Sequence, residues 1–143
     1  MPSEHYILDK RQNSAKNPSY RIERLLLELG VPTNVKGYAF LRRAVQIVYA
    51  DPSAINKVVC GLYSNIAKEY ETTLSCVERD IRTAISIMWN NNSGFLMSEG
   101  YLILGIRLRR QPHAKELIAL LSDKLRRESN DNTEITRSYV QNE

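Results

Sequence analysis

The sequence is poor in the residues from which catalytic and metal sites are assembled. Its 143 residues include two cysteines, two histidines, six glycines and one tryptophan. Cys60 and Cys76 are too few for a disulfide scaffold, and no Cys-x-x-Cys or Cys/His spacing suggests zinc. His5 stands in the leading segment and His113 near an expected helix start, neither arranged with a nucleophile or a carboxylate pair. A glycine-rich phosphate loop is also missing. The expectation is no catalytic site, no metal and no cofactor: not an enzyme. Long hydrophobic runs are absent as well. The longest, Tyr101 to Ile106, contains a glycine and is far too short to cross a bilayer. Met1-Pro2-Ser3-Glu4 lacks the apolar core of a signal peptide. A soluble, cytoplasmic chain with no membrane partner is expected.

What is present is ordinary in amount and uneven in placement. Hydrophobic residues make up 43% and charged residues 25%, which fits one globular domain and excludes wholesale disorder. Residues 19–127 hold 16 basic and 10 acidic side chains, whereas 128–143 hold one and four. A basic middle with an acidic tail favours a polyanionic partner.

The helical period dominates and strand-like alternation is scarce, so the expected class is all-α. Residues 1–18 read as a flexible arm, 19–127 as the folded domain and 128–143 as a disordered acidic tail. A first helix is expected after Ser19, with Ile22, Leu25, Leu26 and Leu29 inward and Gly30-Val31-Pro32 ending it. A second spans about Gly37 to Ala50, burying Tyr38, Leu41, Val45 and Val48. Asp51-Pro52-Ser53 ends it and caps a third, with Ile55, Val58, Val59 and Leu62 apolar and Cys60 in the core. Ser64 caps a short helix, Asn65 to Tyr70, with Ile66, Ala67 and Tyr70 inward. After Glu71-Thr72-Thr73 comes a longer helix whose inward residues are Leu74, Val77, Ile81, Ile85 and Met88. Its cap is Thr73, or Ser75 through a capping box with Glu78. Asn90 to Gly94 reads as a loop, and Phe95 to Arg110 as one helix or two short pieces. A last helix starts near Pro112, burying Leu117, Ile118, Leu121 and Leu125, with Arg126 and Arg127 in its last turn.

A short helix, a three- or four-residue turn and a longer helix describe a helix-turn-helix. Ala67 supplies the small residue where the two helices cross, and Val77 and Ile81 pin the second back on the first. The outer face of the second helix then carries Ser75, Cys76, Glu78, Arg79, Arg82 and Ser86. Arginine matches the N7 and O6 acceptors of guanine in the major groove, and Glu78 can accept from cytosine N4. Thr72, Thr73 and Ser75 at the helix start suit phosphates, aided by the free amides there. Arg107, Arg109 and Arg110 are expected to contact phosphates or a neighbouring subunit, against a plain solvated face, and Lys36, Arg42 and Arg43 are similar. Glu71 stands where such turns often use glycine for a positive φ.

Longer strings carry a family likeness. Gly30-Val31-Pro32, Val35-Lys36-Gly37-Tyr38, Phe40-Leu41-Arg42, Ile66-Ala67-Lys68, Thr72-Thr73, Val77-Glu78-Arg79 with Ile81-Arg82, Trp89 and Asp123-Lys124-Leu125-Arg126 occur in order. Together they resemble the DNA-binding effector domain of the stage zero sporulation protein A response-regulator family over roughly 22–127. The resemblance implies a compact bundle of about six helices whose Ser75–Trp89 helix enters the major groove at a TGTCGAA-like box. It also implies that Glu78, Arg79 and Arg82 read the bases of double-stranded DNA. Neighbouring boxes would be filled by head-to-tail pairs, and a surface within 90–111 would touch the RNA polymerase sigma factor.

The departures are specific. Eighteen leading residues cannot be a receiver domain, so DNA binding is expected to be independent of phosphorylation. The family's arginine after Ser75 is Cys76, and the asparagine before Thr72-Thr73 is Glu71. Residues 90–111 keep the family's length but few of its residues. The main expectation is a sequence-specific transcription regulator. The rival is a protein-interaction module that pairs with a full-length relative and blunts its activity.

Overall fold

Helix signals and their stops follow one another along the chain, and among the described residues the structure turns them into six α-helices around one shared core. The computed structural model describes the backbone of residues 17–141 and the side chains of 17–58 and 61–130. The helices are α1 (Pro18–Leu29), α2 (Lys36–Ala50), α3 (Ser64–Glu69), α4 (Leu74–Ser98), α5 (Tyr101–Leu104) and α6 (Ala114–Gln141). A 3₁₀ turn (Pro52–Lys57) running into a π-helical turn (Val58–Tyr63) links α2 to α3. No strand occurs among the described residues, and the class is all-α as expected.

α2 is the central element, packed on α4, α6 and α1. Its Gly37 explains how α2 and α4 come so close. A Cβ there would lie 2.0 Å from the Asp80 carbonyl oxygen and 2.8 Å from the Ala84 Cβ. The core behind it contains Ile22, Leu26, Leu41, Ile66, Ile81 and Leu117, all fully buried. Polar links tie the edges. Arg42 pairs with Glu23 at 3.0 Å, Arg43 with Glu69 at 2.9 Å, and Arg21 with Glu128. Arg126 donates to the Val48 carbonyl at 3.2 Å, serving the C-terminal end of α2.

Several expectations need correction. α1 starts two residues early, because the Asn17 side chain accepts from the Ser19 amide and Pro18 fits the first turn. Pro18 thus opens α1 with Asn17 as its cap, and the rest of the expected arm lies outside the described residues. Phe40 and Ala44 are buried on α2, whereas Tyr38 is half-buried. Ser64 is no cap: the π turn feeds straight into α3 with helical dihedrals at Tyr63. Tyr70 is 39% exposed, its ring meeting Phe40 edge-on at 5.3 Å. The Val59 and Cys60 side chains lie outside the described ones.

The Asn90–Gly94 loop is a kink within α4, confined to Asn92 (φ −137°, ψ 15°). The helix survives there because the Asn92 amide donates to the Leu29 carbonyl at 3.1 Å and ties the bend to the end of α1. Residues 95–110 split between the end of α4, the single turn α5 and an irregular stretch. α6 starts at Ala114, with the buried Pro112 ahead of it. Finally, α6 runs on to Gln141, so 128–141 is helical where a disordered tail was expected. No glycine or proline follows Pro112 to stop it, and Glu128 is held by Arg21 and Lys124.

Candidate nucleic-acid interface

The helix-turn-helix consists of α3, a turn over 70–73 and α4. The Tyr70 amide donates to the Ile66 carbonyl at 3.0 Å and the Thr72 amide to the Ala67 carbonyl at 2.8 Å. Closing the turn this way requires Glu71 to adopt φ 53°, the one positive φ outside glycine among the described residues. Ala67 and Val77 are buried as expected. Thr73, not Ser75, caps α4: its hydroxyl oxygen accepts from the Cys76 amide at 3.1 Å. The capping box with Glu78 is therefore not formed.

Cap and arginines set the character of the helix start. The Cys76 thiol is pulled below its ordinary range, first by the Thr73 hydroxyl and then by that of Thr72. Arg79 is 68% exposed, with its guanidinium 3.8 Å from the Cys76 sulfur and 3.5 Å from the Asp80 carboxylate. An exposed pair of this kind is weak and easily exchanged for another acceptor. Arg82 is exposed, Glu78 half-buried, and Ser75 and Thr73 exposed. Their faces match the helical spacing read from the sequence.

Two of the more distant basic residues, Lys36 and Arg110, lie beside residues that touch this helix. Lys36 is exposed at the first turn of α2, next to the glycine that rests on Asp80. The stretch between α5 and α6 is held inward by Leu108, whose amide donates to the Leu96 carbonyl at 3.2 Å, and by buried Pro112. Gln111 donates to the Ser86 hydroxyl at 3.1 Å, docking that stretch on α4. Ser86 lies seven residues beyond Arg79, about 10 Å along the same side of the helix. Arg110, next to Gln111, is thereby carried toward Ser86, whereas Arg107 lies at the α5 end of α4, where the neighbouring Leu108 meets Leu96. Arg107 lies over the Tyr101 ring at 5.0 Å and Arg110 pairs with Glu116 at 3.0 Å, whereas Arg109 makes no ion pair among the described residues.

The family described as "Sporulation initiation factor Spo0A C terminal" matches residues 22–125. The chain belongs to this family. It is a DNA-binding effector domain of the sporulation-initiation type and a transcription regulator. No helix among the described residues is long and apolar enough to cross a membrane.

Sequence reasoning missed three contributors to this surface. Asp80 shares Arg79, Gln111 anchors the arginine-bearing stretch, and Tyr63 lies behind the helix beside Glu78 and Arg82. Adjacency to Arg79 was a usable signal for Asp80. Gln111 and Tyr63 reach α4 from other elements, which no spacing along the chain reveals.

Proposed function

We propose that this domain binds double-stranded DNA sequence-specifically at a TGTCGAA-like box, with Glu78, Arg79 and Arg82 reading bases. Thr72, Thr73, Ser75, Lys36, Arg107, Arg109 and Arg110 contact the backbone. The observation that carries the reading is the outward face of half-buried Glu78 and exposed Arg79 and Arg82, with an arginine-bearing stretch fastened to the same helix through Gln111 and Ser86. Binding needs no phosphorylation of the chain and no catalysis, since Arg79 and Arg82 already stand exposed. Adjacent boxes take a head-to-tail pair, and the domain works at the chromosome in the cytoplasm.

Gel shifts on a TGTCGAA duplex and a scrambled one, at two salt concentrations, test this. The box should be preferred at both, with affinity for each duplex falling as salt rises. Equal binding, or none, overturns it. A phosphodonor or phosphatase should leave affinity unchanged, and a several-fold shift would refute independence from phosphorylation.

A second reading rests on Met97, Tyr101, Leu102 and Ile106, which expose 45%, 44%, 61% and 46% of their surface around α5. Such an apolar group suits a protein partner, either the sigma factor or a full-length relative whose activity the domain would blunt.

A further inference from the structure

Four hydrogen bonds knit together the approach to α6. The Gln111 side-chain amide donates to the Ser86 hydroxyl of α4 at 3.1 Å, in a part-buried contact. The Gln111 backbone carbonyl accepts from Nη1 of Arg110 at 3.1 Å, and the Glu116 carboxylate accepts from Nη2 at 3.0 Å. Glu116 is itself fixed, because the same oxygen accepts from the His113 amide at 3.3 Å, the return bond of a helix cap. The guanidinium, ahead of that amide, pulls the Glu116 carboxyl below its usual range. An isolated exposed ion pair would hold little. Here both ends are anchored by a further bond, and three of the five guanidinium N–H groups stay free for another acceptor. Gln111 and His113 also line a cleft of about 270 Å³ whose other wall carries Glu78 and Arg82, so this corner adjoins the face assigned to bases.

We propose that Gln111 is a positioning residue for DNA binding: through Ser86 it fixes Arg110 against α4, where the DNA backbone passes when that helix meets the bases. This rests on the assignment of Arg110 to backbone contact and of α4 to base reading. Phosphate contacts set the register of a protein on the duplex. A guanidinium held beforehand at a fixed offset from α4 brings both sets of contacts into place together. An untethered Arg110 keeps its charge but must be ordered on binding, at a cost in rotamer and loop freedom.

The test compares Gln111→Ala, Ser86→Ala and Arg110→Ala, alone and combined, on the TGTCGAA and scrambled duplexes, with a melting curve for each. Gln111→Ala and Ser86→Ala should each weaken both duplexes about two- to tenfold, the range of ordering one long side chain. The ratio between duplexes should hold, and the two changes together should weaken binding no further. In an Arg110→Ala background neither should have an effect, because the residue they position is gone. Ser86→Ala installs the best helix former on α4, so it carries the test if Gln111→Ala unfolds. A merely structural Gln111 would lower affinity by the same factor with or without Arg110, and that result overturns the proposal. So does parent-like binding by Gln111→Ala and Ser86→Ala while Arg110→Ala is weakened; backbone contact by Arg110 then stands. If Arg110→Ala itself binds like the parent, that contact fails and the proposal with it.

Discussion

Glu71 holds φ at 53° so that the chain can turn between α3 and α4. The left-handed region costs a residue with a Cβ about 1–2 kcal/mol, and asparagine tolerates it best after glycine. Glu71→Asn should therefore stabilise the domain by about 0.5–1 kcal/mol, seen as a rise of a few degrees in thermal unfolding. The proposed roles of Arg79 and Arg110 differ in kind, base reading against backbone contact. Arg79→Ala should lower the ratio of specific to scrambled binding by about 1–3 kcal/mol at one position. Arg110→Ala should weaken both duplexes alike and flatten the salt dependence by about one charge. Melting curves must accompany both, since an unfolded variant would imitate the first result. Cys76, with its thiol pulled down by Thr73 and Thr72, should alkylate at neutral pH faster than a free cysteine. The TGTCGAA duplex should slow that reaction, as peptide mass mapping of the labelled site can show. The outward set Ser75, Glu78, Arg79 and Arg82 was legible because helical spacing sorts inward from outward residues. Tyr63 was not, since its approach to Glu78 passes through a π turn whose wider register no 3.6-residue pattern marks.

Among the elements, the contact between α2 and α4 positions the helix proposed to read bases and depends on Gly37. Any Cβ there would overlap the Asp80 carbonyl, so Gly37→Ala must pry the helices apart. A cost of about 3 kcal/mol is expected, lowering the melting temperature by roughly 10 °C or more. DNA affinity should fall with it, because Lys36 and the start of α4 move relative to each other. An unchanged melting curve would overturn the packing role of Gly37. The sequence showed a glycine at a helix start, where it resembles a punctuation mark; its packing role appears only with Asp80 and Ala84 beside it. Asn90 to Gly94 misled in the opposite direction. Three asparagines, a serine and a glycine are poor helix formers. Even so, the Leu29 carbonyl at the end of α1 gives Asn92 a partner that keeps the helix going beyond its kink.

On the scale of the whole molecule, α6 both closes the core and carries the acidic end of the chain. Leu117, Ile118, Leu121 and Leu125 are buried, and Glu128 is clamped by Arg21 and Lys124. Beyond Asn130 the chain holds three acidic side chains and one basic one. Truncation after Asn130 should leave thermal unfolding unchanged and raise DNA affinity slightly, most at low salt where charges act at longer range. Truncation after Arg127 removes Glu128 as well and should cost up to about 1 kcal/mol. A large drop in melting temperature for the longer variant would show that residues past 130 pack on the domain.

The helices, their buried faces and the Glu78–Arg79–Arg82 stripe follow from the sequence by itself, because periodicity and capping are local and each residue's face depends only on its neighbours in the chain. The requirement for a positive φ at Glu71 was legible for the same reason. Tertiary structure alone decided the kink at Asn92, the packing role of Gly37, the docking of Gln111 on Ser86 and the cleft behind Glu78 and Arg82. Each of these depends on a partner dozens of residues away or on a break in helical register. Chain spacing carries no record of such distances until the core has closed.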